Sequence, residues 1–112
     1  MIIKKEGEEI YNNVKVANKV FDRMLGLMFS DFDSSFGGLI IEPCNSIHTF
    51  FMKFNLDIIF LSKENKVLKI IENIPPWRMT LPVFGAVKVL ELNAGKSNKV
   101  SVGDQLEVIC TS

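Results

Sequence analysis

Hydrophobic residues along this chain fall in short alternating or continuous runs. Gly, Pro, Asn and Asp break the runs at close intervals, as expected for a series of short β-strands. Residues 1–5 read as a strand, 6–9 as a turn, and 10–17 as a second strand with Ile10, Val14 and Val16 on one face. Further strands are predicted at 39–42, 47–54, 56–61, 67–72, 87–92 and 105–110. The turns between them are at 43–46, at 63–66, where Asn65 can take a positive φ, and at Gly103-Asp104. The longest interior apolar run, Ile58-Ile59-Phe60-Leu61, has the length of a buried strand and falls far short of the ~18 residues of a membrane span.

One stretch has a different period. Val20, Met24, Leu27 and Met28 are spaced for one face of a helix over residues 19–28, with Asn18 as its N-cap. Gly26 costs about 1 kcal/mol there relative to Ala and marks a close approach or the helix end. Residues 30–38 and 74–86 read as loops, the second holding three of the four prolines and the only tryptophan. Residues 93–102 read as a loop with room for one helical turn. These elements predict a mainly β, single-domain β-sandwich or squat barrel over residues 1–112, with one short helix near residues 19–28.

Composition agrees with a single globular domain: 112 residues, 47% of them hydrophobic, are enough for one core. Formal net charge is zero, so no global field favours nucleic acid or an anionic membrane, and no nucleic-acid partner is expected. The first residues run directly into strand-like sequence without the apolar stretch of a secretory signal, which points to a cytoplasmic location. The two cysteines, Cys44 and Cys110, are too few for a disulfide framework or an all-thiolate zinc site, and free thiols are expected.

Candidate chemistry lies in the scarce residues. Eleven lysines accompany only two arginines, Arg23 and Arg78, and there is one histidine, His48, and one tryptophan, Trp77. An arginine kept in a lysine-rich chain suits a position that needs a planar, bidentate fork. On a strand over 47–54, His48, Phe50, Met52 and Phe54 share one face and Ile47, Thr49, Phe51 and Lys53 the other. Neither face is strongly polar, so the strand reads as buried on both sides and His48 as a hydrogen-bonded core histidine.

Asp57, at the head of an apolar strand, must be paired, hydrogen-bonded or protonated, with His48, Lys53, Arg23 and Arg78 as candidate partners. Glu91, inside Val89-Leu90-Glu91-Leu92, poses the same question. Pro75-Pro76-Trp77-Arg78 sets an aromatic and a guanidinium in a rigid loop. They either line a pocket and clamp an anion, or plug the open end of the barrel. Cys44 and His48 on one straight strand would be ~13 Å apart, too far to share a proton or a metal. An inert Cys44 thiol is expected, and no metal or cofactor is called for. Phosphate-binding Gly-rich loops, dinucleotide fingerprints and nucleophile elbows are absent from the sequence.

Taken in order, several segments resemble the family catalogued as domain of unknown function 192. They are Arg23-Met24-Leu25-Gly26-Leu27-Met28-Phe29, Gly38-Leu39-Ile40-Ile41, Cys44 with Ser46-Ile47-His48-Thr49-Phe50-Phe51-Met52-Lys53, Leu56-Asp57-Ile58-Ile59-Phe60-Leu61, Pro76-Trp77-Arg78, Val89-Leu90-Glu91-Leu92-Asn93-Ala94-Gly95 and Val102-Gly103-Asp104. The chain departs from the family pattern at Ser30, often Arg, and at Asn55 and Asn93, often Pro. Ser30 removes one anion contact. The resemblance implies a mainly β domain and no particular activity, and many relatives are exported. It selects the same residues that scarcity and burial select: Arg23, His48, Asp57, Trp77 and Arg78.

The expectation is therefore a domain that binds a small, anionic ligand through Arg23, Cys44, His48, Lys53, Asp57, Trp77 and Arg78. Two alternatives stay open. One is an enzyme using His48 and Asp57 as an acid–base pair, with or without Cys44. The other is a structural or protein-interaction domain.

Overall fold

A computed structural model describes residues 1–17, 37–49, 52 and 54–110. Its strands are β1 (Ile2–Lys5), β2 (Glu8–Tyr11), β3 (Val14–Ala17), β4 (Gly38–Ile41), β5 (Leu56–Leu61), β6 (Val67–Ile74), β7 (Lys88–Asn93) and β8 (Leu106–Ile109), with one 3-10 turn at Lys96–Lys99. They form a three-stranded sheet of order β2-β1-β8 and a five-stranded sheet of order β3-β4-β7-β5-β6. The sequence predicts a mainly β sandwich or squat barrel, and the fold is mainly β with two sheets. The helix expected over 19–28 lies outside the described residues, as do Arg23 and Lys53.

The first hairpin follows from its turn. Glu6 and Gly7 both take positive φ, 53° and 80°, the backbone that matches a two-residue turn to the twist of its strands. The strand expected over 10–17 is instead two strands in different sheets. Asn13, with φ 52°, turns the chain out of β2 and into β3. The corner is tied at the amino terminus: the Met1 ammonium donates to the Val14 carbonyl, and the Val14 N–H donates back to Met1. Gly37 fits against the same corner, where a Cβ would overlap the Asn12 carbonyl. β3 and β4 then run parallel, while the other neighbours in the large sheet are antiparallel.

β5 lies between β6 and β7, and all six of its residues are buried. A strand covered on both faces reads as a continuous apolar run, which is why Leu56–Leu61 shows little alternation. Its alternate residues serve two cores. Ile59 and Leu61, with Ile40, Leu90 and Leu92 from the neighbouring strands, pack against Ile3, Tyr11 and Leu106 of the small sheet. Leu56, Ile58 and Phe60, with Val89, face the other way and pack under Met52, Ala86, Ile47, Val83 and Cys44. The large sheet is thus a central layer, with the small sheet on one side and the 43–49 and 75–86 segments and Met52 on the other. This layering decides which candidate residues can meet.

Candidate functional site

The 47–54 segment is not a strand of either sheet among its described residues. It touches the 75–86 loop through one isolated bridge, His48 to Met79. Around that bridge, Thr49 pins the loop. Its N–H donates to the Arg78 carbonyl at 2.8 Å, and its carbonyl accepts the Trp77 N–H at 3.1 Å. Its hydroxyl Oγ1 donates to the Pro75 carbonyl at 2.7 Å and accepts the Arg78 N–H at 2.9 Å. Thr49 is fully buried, so these bonds form away from water, where an unmade one costs about 1–3 kcal/mol. A second tie lies two residues on, where the Ile47 N–H donates to Thr80 Oγ1 at 2.9 Å.

The pinned loop holds Trp77 in the left-handed region, φ 65°, where a bulky side chain is rare and strained. Trp77 remains 59% exposed, and Arg78 and His48 are exposed beside it in the chain pairing. The Arg78 guanidinium has no ion pair or hydrogen bond among the described residues. His48 is therefore not the buried core histidine the sequence suggested. Its strand was expected to be covered on both faces, but only Thr49 and Met52 of its described residues are buried. His48, Trp77 and Arg78 are thus all exposed along this chain pairing. Cys44 lies at the start of the same segment. Its half-buried thiol donates to the Ser46 carbonyl, beside a hollow of about 260 Å³ lined by Pro43, Asn45, Ala86 and Val87. No disulfide joins the two cysteines, and Cys110 is exposed.

Asp57 does not join this group. It shares the face of Ile59 and Leu61, on the side of the large sheet turned toward the small one. Its Oδ1 accepts the Asn73 N–H at 2.8 Å, and its Oδ2 accepts the Gly95 and Ser97 N–H groups at 2.9 and 3.0 Å. Burial pushes its pKa up, but the hydrogen bonds from Asn73, Ser97 and Gly95 outweigh burial and hold the carboxylate below its ordinary range. Of the candidate partners, neither His48 nor Arg78 bonds Asp57, and Arg23 and Lys53 lie outside the described residues. Asp57 instead ties β6 and the turn after β7 to the head of β5. It lines an open hollow of about 390 Å³ with Glu72, Asn73, Ala94, Gly95, Ser97 and Asn98.

Two features escaped the sequence. The strand pattern puts Thr49 on a face with Ile47 and carries no sign of its role as the pin. The hollow at Asp57 was not foreseen, although Asn93-Ala94-Gly95 marked a turn there. Among the described residues no three His, Cys, Asp or Glu side chains are grouped to hold a metal ion. No helix there is long and apolar enough to cross a membrane.

What these features define is a two-sheet β domain whose most exposed large hydrophobic residues, among those described, sit on a loop pinned to the outer face of its larger sheet. The chain belongs to the family of domain of unknown function 192, described as uncharacterized ACR, whose profile matches residues 1–108. It is 30% identical to a UPF0127 protein of Thermococcus sibiricus, over 96% of this chain and 73% of that protein. It is 31% identical to a UPF0127 protein of Pyrococcus furiosus, over 91% of each. Among solved structures, it resembles a protein of unknown function from Novosphingobium aromaticivorans, with a TM-score of 0.76 and 25% identity, over 96% of this chain and 82% of that one. It also resembles a putative transcription regulator from Sinorhizobium meliloti, with a TM-score of 0.71 and 27% identity, over 84% and 79% of the two chains.

Proposed function

We propose that this domain binds a small anionic ligand at the surface where residues 47–49 meet the 75–80 loop. The observation that carries this reading is the Arg78 guanidinium. It is exposed, has no ion pair among the described residues, and stands next to an exposed Trp77 on a backbone that Thr49 holds fixed. A planar fork beside an aromatic wall suits a carboxylate or phosphate attached to an apolar body. Strain at Trp77 is a cost that a fixed binding geometry explains. His48 supplies a further polar group at the edge of the same surface.

The test is a thermal-shift screen of small carboxylates and phosphates. A ligand at this site raises the melting temperature, and Arg78→Ala and Trp77→Ala remove the shift while leaving the unliganded melting point near that of the wild type. A hit whose affinity survives both substitutions contradicts the assignment.

A second reading rests on a different observation. Met79, Leu81 and Phe84, which follow Trp77 in the same loop, are 73%, 84% and 101% exposed. An apolar run of this kind also suits protein docking. The enzymatic alternative has less support, because both Asp57 oxygens are taken by backbone N–H groups and neither orients His48.

A further inference from the structure

Glu91 lies on β7, the strand between β4 and β5, and it is 0% exposed. Among the described residues, neither of its carboxyl oxygens has a hydrogen-bond partner. A buried polar group in a folded protein is normally hydrogen-bonded, so an orphaned carboxyl calls for an explanation.

The described residues around it offer no pairing partner. Glu91 alternates with Leu90 and Leu92, which pack toward the small sheet, and so it shares the outer face with Val89. Directly across from it stand Leu39 on β4 and Ile58 on β5. Those two belong to separate apolar clusters on this face, and Cys44 packs against both.

Charged groups on the neighbouring strands are engaged or remote. Asp57 of β5 faces the small sheet, and the Lys88 ammonium of β7 donates to the Lys63 carbonyl and to Asn65 Oδ1. Lys69 and Glu72 of β6 are exposed, and β4 carries no charge. In the covering segments His48 and Arg78 are exposed. Among the described residues of the two clusters, the Cys44 thiol is the only titratable group.

A carboxyl in such a place is tolerated neutral and not charged. We propose that Glu91 is a protonation latch. Its neutral form lets the covering layer of Cys44, Ile47 and Met52 seat on the large sheet, and its ionisation draws water in and lifts that layer. Burial raises its pKa to about 8, which brings the transition close to physiological pH. The sign follows from linkage. The folded chain keeps a proton that the unfolded chain releases near the ordinary value of 4.5. Stability is therefore full below that value, falls by up to tenfold in the folding equilibrium constant per pH unit, and levels off above the folded pKa. The latch is independent of the ligand-binding proposal, since neither Arg78 nor Trp77 takes part.

The test compares the wild-type chain with Glu91→Gln, which keeps the shape and removes the titration. Urea unfolding is followed from pH 5 to 9, and maleimide labelling of Cys44 is measured against exposed Cys110 by mass spectrometry. The latch predicts that the wild type loses stability toward pH 8 and Glu91→Gln does not. It also predicts that the Cys44-to-Cys110 labelling ratio rises at least tenfold more in the wild type than in the variant, at pH values where both remain folded. Equal pH slopes overturn the proposal, and so does a stability difference with Cys44 equally protected in both chains. Should Glu91→Gln fail to fold, Glu91→Met takes its place. Carbon-13 titration of the wild-type carboxyl then decides directly, because a midpoint near the ordinary glutamate value leaves no latch.

Discussion

At the scale of single residues, burial separates two acids that look alike in sequence. Asp57 and Glu91 both interrupt apolar strands, and both are almost fully buried. Asp57 receives three backbone N–H bonds and stays ionised, whereas Glu91 receives none and is driven toward the neutral form. Removing each therefore has opposite consequences. Asp57→Ala removes the shared acceptor of three N–H groups, one of them buried, and is expected to lower stability by about 2 kcal/mol, measured by urea unfolding. Glu91→Met replaces an unpaired acid by an apolar chain of similar size and is expected to raise stability at pH 8. That each acid posed a problem was legible in the sequence. The answers were not, because the partners of Asp57 are peptide N–H groups, including that of Gly95 in a left-handed turn with φ 91°, and peptide groups carry no sequence label.

At the scale of elements, Thr49 holds the candidate site together. Thr49→Val keeps the volume but removes the acceptor for the Arg78 N–H and the donor to Pro75. The expected cost is about 2 kcal/mol, with faster amide exchange at Trp77 and Arg78. Period and turn chemistry located β5, the first hairpin and the turn at Asn65, which takes the anticipated positive φ of 67°. They failed where the period continued through a corner. Ile10, Val14 and Val16 keep one parity across Asn12, so only the Asn12-Asn13 pair hinted that the chain changes sheets there. Over 47–54, whose composition is that of a strand, the described residues join the 75–86 loop through one isolated bridge and the hydrogen bonds of Ile47 and Thr49.

At the scale of the molecule, the large sheet partitions function from framework. The face toward the small sheet holds Asp57 and the main core. The face away from it holds Glu91 and the segments that present His48, Trp77 and Arg78. Convergence of Asp57 with His48, which the sequence allowed, fails because a sheet stands between them, and strand parity relative to a second layer is not written in a single chain. The two acids also shape the pH profile together. The depressed pKa of Asp57 adds stability that is present above its ordinary value of 3.8 and is lost as pH falls through its folded pKa. Glu91 takes stability away between about pH 4.5 and 8. Unfolding free energies are thus expected to peak on the acid side of neutrality, and a maximum at pH 8 or above would show that Glu91 is solvated or paired.

Trp77 is the only tryptophan in the chain, so its fluorescence reports on the proposed site without interference. The most direct measurement is a fluorescence titration of the wild type and Arg78→Ala with the carboxylate and phosphate panel. A saturable change in the wild type that weakens at least tenfold in Arg78→Ala is the predicted result. No saturable change with any member of the panel, or equal affinity in the two proteins, would contradict an anion site at this loop.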